Sequence, residues 1–383
     1  MQLHVSHKGL LTAVAFALCV CDHASAAPAA LLSDIHVGNK RSNNASLASR
    51  APQPLQIPLN PIGDDLAYTA LVGFGTNPAP FNMLMDSGSS DLWVYSSVCP
   101  QRGTNQGITS AASPQLQVNT QAKWRVSYGD GSQVSGFMAR DNLNIAGLSF
   151  PGYIFGLAGL VDGSISEKSV DGIIGFGTQR SARMKQPNLA QIFADQGIIP
   201  APVAGWFLSR SRDGGHGGEL SLGAPNPAKF NPATLTPPLA NLNGGYWCVT
   251  VAGVRVNNFA IPSIANRVAT FDTATSQILM PLQDAGFINQ QLGALLDAPT
   301  CKFYIPCNTD RQVAFRIAGQ DWAIDLRDLV FLQDSCPGGF CLSMIQGGPA
   351  SLQGTWILGA AFMKNAYVIM NYATNQIQMA QLH

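Results

Sequence analysis

From Leu66 onward, runs of five to eight residues alternate apolar and polar side chains and stop at Gly, Asn or Pro, as in Ala67-Tyr-Thr-Ala-Leu-Val-Gly-Phe74 and Lys123-Trp-Arg-Val-Ser-Tyr128. A period of two belongs to strands with one face in the core, and the stops carry turn chemistry, so the pattern predicts an all-β protein. Helical spacing is confined to three short stretches, Leu189 to Asp195, Pro281 to Leu296 and Leu326 to Val330. Tyr128-Gly129-Asp130-Gly131 predicts a hairpin tip whose arms are Lys123 to Ser127 and Gln133 to Ala139. A lid of that sort excludes water and orders an extended peptide through backbone hydrogen bonds. Phe230 to Gly245, rich in Pro, Asn and Gly, separates two halves of comparable length and reads as the connection between lobes.

The halves echo one another. Phe81-Asn-Met-Leu-Met-Asp86-Ser87-Gly88-Ser89-Ser90 recurs as Arg267-Val-Ala-Thr-Phe-Asp272-Thr273-Ala274-Thr275-Ser276, and Asp171-Gly-Ile-Ile-Gly175 as Thr355-Trp-Ile-Leu-Gly359. One Asp-Ser-Gly loop alone is an ordinary turn, because Asp and Ser bond their own backbone and Gly tolerates unusual dihedrals. Its recurrence at Asp272 points to a pair: two-fold pseudo-symmetry would set Asp86 and Asp272 face to face. Carboxylates held that close cannot both ionise, so they share a proton, one acting as general base on a water and the other as acid toward a carbonyl. An acidic working pH follows. Ser89 and Thr275, at the same offset in each loop, can donate to the outer carboxylate oxygens, while Ser87 and Thr273 can brace the opposing loops.

At roughly 100–200 residues per domain, 383 residues suggest two lobes and a removable head. The expected organisation is a signal peptide over 1–26, a short pro-segment or flexible arm over 27–50, an N-terminal lobe over 51–235 with Asp86 and the flap, and a C-terminal lobe over 236–383 with Asp272. Charged residues make up only 11 % and balance at 22 of each sign, which argues against nucleic-acid binding and against a membrane-surface role. Lys8, the apolar stretch Leu10 to Val20 and Ala24-Ser25-Ala26 have the charge, core and small-residue site of a secretory signal. That stretch of about 11 residues is too short for a membrane anchor, which needs ~20. The protein is therefore expected outside the cell, as a monomer.

Cys19 and Cys21 leave with the signal, and the remaining six cysteines are expected to form disulfides rather than bind metal. The last four fall in two clusters, so cross-cluster bridges such as Cys307 to Cys341 and Cys301 to Cys336 are expected; Cys99 and Cys248 have no evident partner except each other. Six histidines without paired spacing give no metal site, and no cofactor is expected. Lys40-Arg41 reads as a processing site and Asn44-Ala45-Ser46 as a glycosylation sequon on the new N-terminus.

From about Asp65 to the C-terminus the chain resembles the pepsin-type aspartic proteases of family A1, of the kind fungi secrete. The likeness is carried in order by Asp86-Ser87-Gly88-Ser89-Ser90-Asp91-Leu92-Trp93-Val94, Tyr128-Gly129-Asp130-Gly131-Ser132, Asp171-Gly172-Ile173-Ile174-Gly175 and Trp356-Ile357-Leu358-Gly359. It implies a bilobal fold of two pseudo-symmetric β lobes around a cleft, an endopeptidase acting on proteins or peptides between large apolar residues, and inhibition by pepstatin-type compounds. It implies that Tyr128 is the flap tyrosine with Trp93 as its hydrogen-bond partner, and that Gly129, Asp130, Ile173 and Ala274 contact substrate. Asp130 would then hang near the pocket for P1, the residue that supplies the scissile carbonyl, where it could pair with a substrate lysine.

Several positions depart from the family pattern. Ser87 stands where Thr is usual, Ala274 where Gly is nearly always found, Ala360 in place of an Asp, and Met370-Asn371 in place of Phe-Asp. A methyl group between tightly packed loops typically costs ~1–3 kcal/mol and tilts what it touches. That motivates a second reading, a catalytically impaired homologue that binds a peptide or a protein partner in the same cleft. A glycoside hydrolase would also use paired carboxylates, but the symmetric hydroxyl-bearing loops do not suit it. The short, weakly basic head is an uncertain plug for the cleft.

Overall fold

The computed structural model describes residues 51–383 apart from 215, 216 and 337, and of 333, 335 and 336 the backbone only. The signal, pro-segment, dibasic pair and sequon expected before residue 51 lie outside the described residues.

Strand dominates, as the alternation predicts. Thirteen strands form one continuous sheet. At its centre Leu55–Ile62 changes partner along its length, pairing first with Gly218–Leu222 and then with Ala67–Phe74. Beyond Gly218–Leu222 come Val203–Phe207, Tyr367–Asn371 and Gln376–Ala380, so the last strands of the chain hydrogen-bond to strands of the first half, Met370 opposite Ala204. Val203–Phe207 and Tyr367–Asn371 are nearly unbroken apolar runs because both faces are covered. The second half adds a five-stranded sheet and two four-stranded sheets.

The echo between the halves has a structural counterpart. Phe81–Asp86 runs parallel to Gly172–Gly175, with Asp86 opposite Gly175, and Arg267–Phe271 runs parallel to Trp356–Leu358, with Phe271 opposite Leu358. Each half thus delivers its aspartate from the buried end of a strand locked beside a second, buried strand. A salt bridge also ties the halves: Asp328, almost fully buried, accepts from Arg210 of the first half at 2.6 Å, and from Lys364 of its own half at 2.7 Å.

Helices are few and short. Leu189–Asp195 begins at Asn188, whose side chain caps Gln191 N. Leu282–Gln291 ends earlier than its apolar spacing suggested, because Gly293 takes a left-handed φ of 74° and Leu295–Asp297 continues as strand. Leu326–Leu329 falls where expected, capped by Asp325. Ala360–Met363 was not legible, since all four side chains are buried and no amphipathic pattern marks it. The connection Phe230 to Gly245 holds a two-residue strand, Leu239–Ala240, on the edge of the large sheet.

Cys307 and Cys341 form a disulfide. The expected Cys301–Cys336 bridge is a correction: Cys301 carries a free, exposed thiol. Strand register gives the reason, since Cys336 and Pro306 both stand opposite Phe340, on either side of the same strand. Cys301 lies five residues from Pro306 along its strand direction, which at about 3.3 Å per residue is far beyond disulfide reach. Cys99 and Cys248 are both buried free thiols; Cys248 Sγ lies 3.0 Å from Thr270 Oγ1.

Candidate active site

Strand Phe81–Asp86 is apolar and almost wholly buried, Arg267–Phe271 is buried from Ala269 onward, and each breaks into a polar turn at its end. Asp86 and Asp272 therefore emerge where buried strand gives way to hydroxyl-rich loop, with 1 % and 0 % of their surfaces exposed. Asp86 accepts from Gly88 N at 2.7 Å on one oxygen and from Ser89 Oγ at 2.5 Å on the other. Asp272 accepts from Ala274 N at 2.9 Å and Thr275 N at 3.1 Å on one oxygen and from Thr275 Oγ1 at 2.7 Å on the other.

The loops are cross-braced as the repeat suggested. Ser87 N donates to Thr273 Oγ1 at 3.0 Å and Thr273 N donates to Ser87 Oγ at 3.1 Å. Each hydroxyl then donates into the other half, Ser87 Oγ to Phe271 O at 3.0 Å and Thr273 Oγ1 to Met85 O at 2.6 Å. All four groups are buried, so no water competes for them.

Burial raises the pKa of both aspartates, and on Asp272 the charge of Asp86 adds to that rise; the loop hydrogen bonds pull the other way. A pair so placed holds one proton between its members over the acidic range, with apparent pKa values that belong to the pair. Chemically it offers a base and an acid within one water's reach of each other.

The hairpin of Gln117–Ser127 and Gln133–Ile145 has both arms longer than the alternation indicated, and its Tyr128 shares a buried cluster with Ala274 of the Asp272 loop. Its tip closes through Tyr128 N to Ser132 O at 2.8 Å and Gly131 N to Tyr128 O at 3.0 Å. Tyr128 is buried, and Trp93 Nε1 donates to its hydroxyl at 2.7 Å. Gly129 and Asp130 are partly exposed at the tip. Ile173 and Ala274 lie deeper: both are fully buried in the cluster that contains Trp93 and Tyr128, beneath the cleft surface.

Ala274 is accommodated without loss of its backbone role, since its N–H still reaches Asp272. Ala360 is likewise fully buried, its N–H bonded to Thr275 O at 2.7 Å, which supports the Asp272 loop from behind.

One residue escaped the sequence reading. Lys168 follows the short 3-10 helix Ser164–Glu167; burial pushes its pKa down to about 8, and the negative charges of Asp130, Asp272 and Asp86 oppose that fall. Gly163-Ser-Ile-Ser-Glu-Lys168 reads as a solvated loop, and only the folded chain brings it under the flap.

A family model described as eukaryotic aspartyl protease matches residues 67–382. Rhizopuspepsin of Rhizopus chinensis is 31 % identical, over 89 % of this chain and 86 % of its own. Aspartic-type endopeptidase ctsD of Aspergillus fumigatus is 29 % identical over 87 % of this chain and 69 % of its own, and syncephapepsin of Syncephalastrum racemosum 27 % over 90 % and 85 %.

Proposed function

The chain belongs to the eukaryotic aspartyl protease family and is a pepsin-like aspartic-type endopeptidase; from that premise we propose that Asp86 and Asp272 carry the reaction. A water held between the carboxyl groups loses its proton to the ionised member as it attacks the scissile carbonyl. The protonated member donates to the carbonyl oxygen, and the proton gained from water then goes to the leaving amine. Ser89 and Thr275 fix the outer oxygens, so each inner oxygen faces the water, and the Ser87–Thr273 brace holds the two carboxyls in register. Tyr128, tied to Trp93, closes the site over an extended peptide.

The observation that carries this reading is the mutual burial of two aspartates, each with its own hydroxyl donor, on loops that bond to one another. Preference for large apolar residues around the scissile bond is supported by the resemblance to the pepsin-like relatives and by the apolar cluster of Trp93, Tyr128, Ile173 and Ala274 packed beneath the site. Optimal activity at acidic pH follows from the need to keep one proton on the pair. Secretion is supported by the signal-like N-terminus and by the Cys307–Cys341 disulfide, which an oxidising compartment favours. A division into lobes near 235 is supported by the repeat of the aspartate strand and its parallel neighbour on either side of it.

Incubation with denatured haemoglobin or casein over roughly pH 3 to 7, the span of carboxylate titration, with and without pepstatin, tests it. Cleavage at the acidic end that pepstatin abolishes is the expected result. Cleavage that ignores pepstatin and peaks near neutrality would overturn the assignment.

A further inference from the structure

Beyond Gly172–Gly175, the strand beside the Asp86 strand, the chain crosses to the other half of the molecule. Thr178 N and Ser181 Oγ both donate to Gly245 O, at 3.2 and 2.7 Å, and Thr178 Oγ1 donates to Gly244 O. On its other flank Ser181 Oγ lies 2.5 Å from Ser90 Oγ in the Asp86 loop. Just after that loop the buried Asp91 carboxylate accepts from Arg183 N and Met184 N, each at 2.9 Å. The partner segment belongs to the Asp272 side. Cys248 stands opposite Thr270, and Phe271 N donates to Trp247 O at 3.0 Å, so Tyr246 comes level with Asp272. Gly244 is two residues further, at most about 7 Å along the chain. One flank of the aspartate pair is thus a seam made by both halves.

The seam is cationic. Arg180, Arg183 and Lys185 lie in one of its two segments, and neither segment offers a counter-charge. No Asp or Glu occurs between Asp171 and Asp195, or between Glu219 and Asp272. Arg180 is exposed and lies along Gly244, where an added Cβ would stand 2.5 Å from its Nη1 and 2.7 Å from its Cδ. Among the described residues no salt bridge engages Arg180 or Lys185. The guanidinium is charged at every working pH, and its planar fork of donors matches a carboxylate.

Resting on the endopeptidase reading above, we propose that Arg180 is a specificity-determining residue that recognises an acidic side chain of the substrate two or three residues from the scissile bond. An extended peptide advances about 3.3 Å per residue, so the step from Asp272 to Gly244 corresponds to about two substrate residues. Arg183 and Lys185 add to the positive field on that flank. A peptide acidic at this position is cleaved in preference to a neutral one, and a basic one is disfavoured.

Peptides sharing one apolar P1 residue test it, each carrying cysteic acid or its neutral sulfonamide at one position from the second to the fourth on either side of the bond. They are assayed at acidic pH with the full chain, because a sulfonate stays ionised where a carboxylate titrates. The wild-type protein is expected to favour the sulfonate by about threefold or more in kcat/KM at one position, with the preference shrinking as salt rises to about 0.5 M. Arg180→Gln is expected to remove most of the preference, Arg180→Lys to keep part of it and Arg180→Glu to invert it. Inversion is a readout that a merely structural role would not produce. Should Arg180→Glu fail to fold, Arg180→Gln and the salt series decide. A wild-type ratio within about 1.5-fold of unity at every position, or a preference that survives in Arg180→Gln, overturns the role of Arg180 while leaving the hydrolase reading intact. Failure of the wild-type protein to cleave any of the peptides overturns the hydrolase reading itself, and this inference with it.

Discussion

Gly88 lies so close to Asp272 that a Cβ added to it would stand 2.5 Å from the aspartate Cγ, whereas Ala274, the matching position in the other loop, already carries a methyl group and is fully buried. The two loops are therefore not interchangeable. Gly88→Ala is expected to push Asp272 out of line, lowering kcat/KM about 100-fold or more and stability by ~1–3 kcal/mol. Ala274→Gly is expected to change kcat/KM by only a few-fold while lowering stability by roughly 0.5–1 kcal/mol through the freer unfolded chain. Peptide kinetics beside thermal unfolding check both, and a tenfold gain of rate in Ala274→Gly would contradict this view of the methyl.

Thr273 supports the cross-brace through one accepted and one donated hydrogen bond, both buried. Thr273→Val keeps the shape and leaves Ser87 N and Met85 O without partners, at ~1–3 kcal/mol each. A loss of about 2–4 kcal/mol in denaturant unfolding is expected, with Thr273→Ser restoring most of it.

Much of this arrangement was legible in the chain, and the reasons differ by element. Asp86 and Asp272 could be paired because an apolar strand followed by Asp, a hydroxyl, a small residue and a second hydroxyl occurs twice. Strands Ala67–Phe74 and Phe81–Asp86 have the limits that their patterns indicated. Less was legible where long-range pairing decides. The edge strand Leu295–Asp297 has apolar residues that fit a helix equally well, and nothing local fixes the registers that part Cys301 from Cys336. Lys168 was invisible because the segment that carries it meets the flap, nearly 40 residues earlier in sequence, only in the fold.

Tyr128 accepts a hydrogen bond from the fully buried Trp93 indole. Tyr128→Phe removes the acceptor and leaves that N–H stranded, a penalty of ~1–3 kcal/mol that falls on the closed flap. The expected outcome is a fall of about tenfold or more in kcat/KM with the fold retained, measured by peptide hydrolysis and near-UV circular dichroism.

Burial raises the pKa of Asp86, Asp272 and Asp91 in the folded chain. A raised folded-state pKa means the folded form binds protons more tightly than the unfolded one. The stabilisation is fully present below the unfolded value of about 4 and is lost as pH rises through the folded values. Urea midpoints are thus expected to fall from acidic toward neutral pH. Asp272→Asn, which cannot ionise, is expected to flatten that fall in part, Asp86, Asp91 and Asp171, whose pKa burial also raises, supplying the remainder; a midpoint that rises with pH in the wild-type protein would contradict the sign.

The central claim is that Asp86 and Asp272 act together, and single substitutions read it most directly. Asp86→Asn and Asp272→Asn, each shown by thermal unfolding to be folded, are to be compared with the wild-type protein on one apolar-P1 peptide at its optimal pH. The account predicts that kcat falls by about 10²–10⁴-fold in both variants, the scale set by loss of a positioned acid or base. Either variant retaining activity within about tenfold of the wild-type protein would contradict it.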